Sequence, residues 1–394
     1  MPRDSHPQHA SPQLSHASSE HSDWRPSTDR PLSRRVALGA VAGGLLSLSG
    51  CPLAITPVGP ESEPPQQSDP ELTTVKALVD QVLEKEYATR GLSTAQNGAW
   101  QIFHGILAYG DRFMVDTSAG TQPALEYLRA GGFCNGFDPV IGDPLENTNG
   151  DSTRYGLRVD LEPETKIGQG HRDQWLAVIS QTGLPLSTPW IVNEYDFTLE
   201  DWMRQAEQDI PRNLENEFSW TMIPLSIYRP TDYRWKARDG KTYSVESLLD
   251  HESSVSLQQS ACGGTHRLIG IASTLNKRRA EGQPMTGVWE SAQRRVDQGV
   301  QLAKANQNPD GSYSSAYMHR TGWCRDLGEM LGTTGHVLEF LAIAADDETL
   351  QSPWVTRGVE RLCNVLQDCQ GVDMECGVLY HALHGLVEYQ RRMA

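Results

Sequence analysis

The sequence predicts an all-α fold in which an outer layer of helices encloses an inner one, and three stretches carry that reading. From Trp289 the apolar residues Ala292, Val296, Val300 and Ala303 recur on one side, with Arg294, Arg295, Asp297, Gln301 and Lys304 between them. That is a helix with one buried face. After the turn Gln307-Asn308-Pro309-Asp310-Gly311-Ser312-Tyr313 comes a run from Gly332 to Ala345 that is apolar on all sides except at His336 and Glu339. A helix of that kind must be covered all round. The pair then recurs: with Val359 set against Val296, Gln370 falls on Gln307 and Asp373 on Asp310, and a second enclosed run follows from Gly377 to Tyr389. Repeated pairs of half-buried and enclosed helices build a solenoid or a closed ring.

The other elements are expected as follows. Leu72, Val75, Leu78, Val79, Val82 and Leu83 place a one-sided outer helix over residues 72–90, and Gly98 to Tyr109 is the first inner helix. A short helix from Gln122 to Arg129 ends at Gly131-Gly132, and the Gly, Asn, Asp and Pro of Phe133 to Tyr155 read as a long loop. Gly168 to Gln181 is a further helix, and Thr198-Leu-Glu-Asp201 is a capping box for one that stops at Pro211. Phe218 to Tyr228 is another inner helix, Asp239-Gly240 a turn leading into a helix from Val245, and Cys262 to Ile271 an inner helix again. Between Tyr313 and the enclosed run the first copy carries an insertion, Ser314 to Met330. Little strand signal is present.

Residues 1–51 are expected to lie outside the fold. The first thirty are rich in Ser, Pro and His without apolar periodicity. Arg34-Arg35 then precedes a short apolar run to Leu48, which is the twin-arginine export pattern, and Leu48-Ser49-Gly50-Cys51 resembles a bacterial lipobox with Cys51 as the lipidated residue. A Pro-rich linker follows over residues 52–70, and one domain spans 71–394. The expectation is a lipoprotein of the cell envelope, periplasmic or extracytoplasmic, that meets the membrane only through its anchor. A net charge of −16 with no Lys/Arg cluster excludes a nucleic-acid partner. Six cysteines besides Cys51 allow three disulfides in an exported domain, and Cys363, Cys369 and Cys376 are spaced for one bridge.

The turn Gln307 to Tyr313 resembles the glutamine and aspartate-glycine-aromatic turn of the α/α-toroid superfamily, which includes squalene-hopene (terpenoid) cyclases and protein prenyltransferase beta subunits. The resemblance implies an α/α toroid of concentric inner and outer helices around a central cavity. It does not carry triterpene cyclisation, because Asp346-Asp347-Glu348 is not the aspartate-rich motif of the cyclases. Cys262 and His266 are four apart on one helix face and Cys376 and His381 five apart, and with Cys324 these offer a zinc site of mixed sulfur and nitrogen ligands. Gly322-Trp323-Cys324 and His384-Gly385 are similar to pieces of the lanthionine cyclase pattern, which implies zinc on Cys324 and His384, with Cys262 as a further ligand. Leu383 stands where that pattern has a cysteine, so one expected ligand is missing.

Of the twelve histidines, four lie in the first thirty residues. His104, His266, His336 and His381 each fall near the start of an expected inner helix, and His171 near the opening of another. In a ring of helices those ends face the mouth of one cavity, with Cys262 and Tyr380 nearby. Histidine titrates near neutrality and serves as general acid, general base or metal ligand. Two functions follow. One is an acid/base enzyme on a neutral or cationic cell-envelope molecule such as a polysaccharide, since toroids also serve as polysaccharide lyases. The other is a non-catalytic protein that binds a small molecule, glycan or peptide in the same cavity, or a scaffold.

Overall fold

The computed structural model describes residues 70–145, 154–163, 165–214 and 217–394; the expected export signal, Cys51 and the expected linker up to residue 69 lie outside the described residues. The chain is predominantly helical. In order the helices are α1 (Pro70–Thr89), α2 (Ala99–Tyr109), α3 (Ala124–Arg129), α4 (Gln174–Ser180), α5 (Leu199–Asp209), α6 (Ser219–Tyr228), α7 (Val245–Ser254), α8 (Thr265–Ala280), α9 (Val288–Ala305), α10 (Leu327–Ala344), α11 (Asp347–Leu350), α12 (Pro353–Asp368) and α13 (Cys376–Met393).

Burial sorts them as the periodicity requires. In α9 only Trp289, Ala292, Val296, Gly299 and Ala303 are buried, whereas every residue of α10 from Met330 to Ala342 is. Helix α2 packs on α4, α4 on α6, α6 on α8, α8 on α10, α10 on α13, and α13 returns to α2. Around them α7 lies on α6 and α8, α9 on α8, and α12 on α10, while α1 covers α12 and α13. The closest crossing is between α10 and α13, where small residues let the backbones meet. A Cβ on Gly335 would stand 2.6 Å from that of Ala382, and one on Gly385 would stand 2.9 Å from the Glu339 nitrogen.

The turn between α9 and α10 is built from its own side chains. Gln307 Nε2 donates to the Gly311 carbonyl at 3.0 Å and to that of Trp354 at 2.7 Å, tying the turn to α12. Asp310 accepts from the Ser312 amide at 3.0 Å and from Trp323 Nε1 at 3.0 Å, and Gly311 takes a φ of +89°. Helix α10 starts a turn earlier than its apolar run, at Leu327, because Asp326 caps it by accepting from the Glu329 amide at 2.8 Å.

Strands are the main departure from the all-α expectation. β1 (Leu92–Ser93), β2 (Met114–Thr117) and β3 (Gly120–Pro123) form one small sheet. β4 (Pro139–Leu145) pairs antiparallel with β5 (Arg154–Val159), β6 (Pro189–Val192) with β7 (Tyr195–Thr198), and β8 (Arg234–Lys236) with β9 (Thr242–Ser244). The stretch Phe133 to Tyr155 is therefore not simply a loop. Three of these hairpins run straight into a helix of the outer set: β3 into α3, β7 into α5 and β9 into α7. Asn193 and Glu194, at φ of 50° and 68°, make the two-residue turn that matches strand twist. Asp239-Gly240 is likewise a hairpin turn, and α4 begins only at Gln174, after Asp173 in the left-handed region.

The expected disulfides are not formed. Cys134, Cys262, Cys324, Cys363, Cys369 and Cys376 are all free thiols, and Cys363 sits inside the apolar face of α12.

Candidate functional site

The helices that pack in succession around the centre bring the histidines together. Helix α2 contributes His104, α8 His266, α10 His336 and α13 His381, and the ring centroids lie 4.3 Å apart for His336–His381, 5.1 Å for His266–His381, 5.3 Å for His266–His336 and 5.2 Å for His104–His381. His171, in the loop before α4, joins from the other side at 5.5 Å from His266, and Trp220 of α6 covers His266 at 4.9 Å. His171 is half-buried and the other four are buried. The cluster is thus enclosed rather than an open mouth: the cavity beside Trp220, His266, Glu339 and His381 has room for about one water. His336 reaches it from well inside α10, not from the helix start.

Each ring but one is oriented by a second group. His104 Nδ1 meets the Trp100 carbonyl at 2.5 Å and His336 Nδ1 the Gly332 carbonyl at 2.7 Å. A carbonyl only accepts, so both rings carry a proton on Nδ1, and His104, which burial keeps neutral, presents a bare Nε2. Glu339 takes His381 Nδ1 on one carboxylate oxygen at 2.8 Å and His384 Nδ1 on the other at 2.6 Å. Glu217 Oε1 stands 3.0 Å from His171 Nδ1 as an ion-pair contact and accepts from Trp220 Nε1 at 3.0 Å. His266 is the exception. It is 5% exposed and neither ring nitrogen has a hydrogen-bond partner. Glu217 Oε1 stands 3.9 Å from its Nδ1, beyond hydrogen-bond range.

Burial keeps most of these rings neutral. It lowers His104 to about 3, with His381 adding to the effect, and drives His266 well below its ordinary value, helped by His381, His336 and His171. His381 is lowered by burial more than Glu339 restores it. Burial opposes the charge on His384 as well, yet Glu339 outweighs it and pushes that ring up. Burial alone would raise the Glu339 carboxyl, but His381 and His384 hold it well below the usual range. Glu339 and His384 therefore form the ion pair, with His381 as a neutral, carboxylate-oriented imidazole. His336 is pushed up to about 9, because the adjoining Cys262 outweighs burial.

Two sets of side chains offer ligand atoms all within 4.8 Å of one another: Cys262 with His266 and His336, and His171 with Glu217 and His266. The set expected from the lanthionine cyclase pattern does not assemble. His384 is committed to Glu339, and Cys324 Sγ reaches the Asp326 carbonyl at 3.6 Å instead of Cys262. Tyr380 also lies elsewhere, packed on Tyr109 and Phe113 with its hydroxyl on the Arg90 carbonyl at 3.3 Å. The insertion before α10 lies beside the site through Tyr317, whose ring is 6.4 Å from that of His336. Glu217 and Glu339 are the functional candidates that residue patterns did not assign. Glu339 left a trace as the one carboxylate in an enclosed helix; Glu217 left none. No family model matches the chain, and neither a curated protein nor a solved structure does.

Proposed function

We propose that this chain is an exported, lipid-anchored α/α toroid whose central histidines carry out acid/base catalysis on a neutral or cationic molecule of the cell envelope, such as a polysaccharide. The toroid reading is supported by the order of helix contacts, which passes through α2, α4, α6, α8, α10 and α13 and returns to α2. The anchor rests on Arg34-Arg35 and the lipobox-like Cys51.

The observation that carries the catalytic reading is a carboxylate-oriented imidazole, His381 on Glu339, in one cluster with His171, whose Nδ1 stands 3.0 Å from a Glu217 carboxylate oxygen. A carboxylate on Nδ1 fixes the tautomer and leaves Nε2 as the working nitrogen. Acid/base turnover needs one group to take a proton and another to give one. His381 is neutral and enclosed, suited to accept. His171 is half-buried, where a leaving group can reach it.

The test is a turnover screen of the chain against peptidoglycan and envelope polysaccharides, following new reducing ends and unsaturated products. His381→Ala and His171→Ala should each abolish product formation and leave ligand affinity in place. Binding without turnover in the native chain, or turnover indifferent to both substitutions, overturns the reading.

A further inference from the structure

We propose that Cys262, His266 and His336 bind one divalent metal ion of the zinc class, with a fourth coordination position open. For its catalytic meaning this site rests on the acid/base reading above; its existence does not.

His266 is the starting point. An imidazole that is 5% exposed with both nitrogens unpartnered is costly, since a buried polar atom without a partner loses its solvation with nothing in return. Buried polar groups are otherwise satisfied, so a missing ligand is the ordinary explanation. The atoms around it suit a metal. In a tetrahedral zinc site with Zn–N of about 2.0–2.1 Å and Zn–S of about 2.3 Å, the ligand atoms stand roughly 3.3–3.6 Å apart. Here Sγ of Cys262 and one nitrogen from each of the two rings already lie within 4.8 Å of one another, so small rotations of the side chains seat the ion.

The supporting shell agrees. The Gly332 carbonyl on His336 Nδ1, at 2.7 Å, orients that ring as an Nε2 ligand in the way carbonyls orient metal-binding histidines. Cys262 holds a left-handed backbone, φ 48° and ψ 41°, that a residue with a side chain seldom adopts, and Gly263 and Gly264 continue it at φ of 63° and 84°. Strain of that kind persists where the surroundings impose it, and it places the thiol four residues before His266, ahead of the start of α8. A thiolate with two neutral imidazoles is a soft, high-affinity set for zinc. The neighbouring trio of His171, Glu217 and His266 is the weaker choice, because His171 and Glu217 already pair with each other and Glu217 also accepts from Trp220. On binding, the protons held by Cys262 and by His336 Nε2 leave to solvent as the S–metal and N–metal bonds form.

The experiment is metal analysis of the full chain purified without chelator, followed by stripping and titration with Co²⁺. The expected result is one metal per chain, a thiolate-to-cobalt charge-transfer band and the intense visible bands of tetrahedral cobalt. Cys262→Ser should remove the charge-transfer band, and His266→Ala should weaken Co²⁺ binding at least about a hundredfold. Cys324→Ser should leave the band intact. A second readout needs no variant: Zn²⁺ should protect Cys262 of the native chain from iodoacetamide and leave Cys324 reactive. Absence of stoichiometric metal, a band that survives both Cys262→Ser and His266→Ala, or alkylation of Cys262 in saturating Zn²⁺ overturns the site. Stoichiometric metal without turnover on any substrate upholds the site and removes the acid/base reading; full turnover by the metal-free chain overturns the catalytic meaning of the site and spares that reading.

Discussion

Replacing Glu339 with glutamine tests the centre without touching its outline. The carboxylate is 2% exposed and bonded to two imidazoles, at 2.6 Å from His384 and 2.8 Å from His381. Glutamine keeps the volume and one acceptor oxygen but turns an amide nitrogen toward the other ring. Removing one partner of a buried ion pair destabilises by about 3–5 kcal/mol. One retained neutral hydrogen bond restores about 1 kcal/mol. The expected loss is therefore about 2–4 kcal/mol, read from urea unfolding followed by tryptophan fluorescence. Its pH dependence has a definite sign. The pKa of His384 is raised in the folded chain, so its contribution is complete below the ordinary 6.5 and lost as pH rises through the folded value. That of Glu339 is depressed, so its contribution is complete above the ordinary 4.5 and lost as pH falls through the folded value. The gap between native chain and Glu339→Gln should be widest between 4.5 and 6.5 and narrow on the alkaline side. A gap under about 0.5 kcal/mol, the size of an ordinary surface change, or one that widens above pH 6.5, refutes the ion pair.

Two further predictions concern the frame around the site. Gly335→Ala puts a methyl 2.6 Å from Ala382 Cβ and should force α10 off α13, destabilising by about 1–3 kcal/mol; an unchanged urea midpoint would show that the crossing is not tight. Glu252 is fully buried, accepts from the Phe218 amide at 2.7 Å and pairs with Arg267, yet burial pushes its carboxyl up to about 7. A raised acid adds stability that is complete below its unfolded value of 4.5 and lost as pH rises through 7. The native chain should lose on the order of 3 kcal/mol across that interval that Glu252→Gln does not lose, and parallel stability curves for the two would rule this out.

Much of the helical layering was legible because burial follows period. The one-sided apolar positions of α9, the Thr198 capping box before α5 and the glutamine turn at Gln307 all became the elements they signalled. The convergence of the histidines was legible in part for the same reason, since His104, His266 and His381 lie in the first turns of enclosed helices, while His336 joins them from the middle of α10. The strands were not. β6 and β7 do alternate, with Trp190, Val192 and Phe197 inward, but over four residues each the period is too short to stand out from a loop. The sharing of a carboxylate by His381 and His384 was hidden for another reason: the α10–α13 crossing that permits it depends on glycines at two helices far apart in sequence. The ligand set suggested by likeness to lanthionine cyclases brought in Cys324 and His384, whereas the fold joins Cys262 to the nearer His266 and to His336.

Helix α1 lies on α12 and α13, with Gln390 Nε2 donating to Asp80 at 2.5 Å and the Arg90 guanidinium clamping the Val372 and Cys369 carbonyls at 2.6 and 2.9 Å. The first and last described helices are therefore neighbours, and beside them His104 of α2 and His381 meet where α2 packs on α13. During synthesis the imidazole cluster has no partial form that contains both, so no nascent chain carries the assembled centre until α13 has emerged. The same adjacency makes the chain a natural subject for circular permutation: joining the end of α13 to the start of α1 and reopening the chain at the Asp239-Gly240 turn would keep every helix contact while changing which half of the centre is made first.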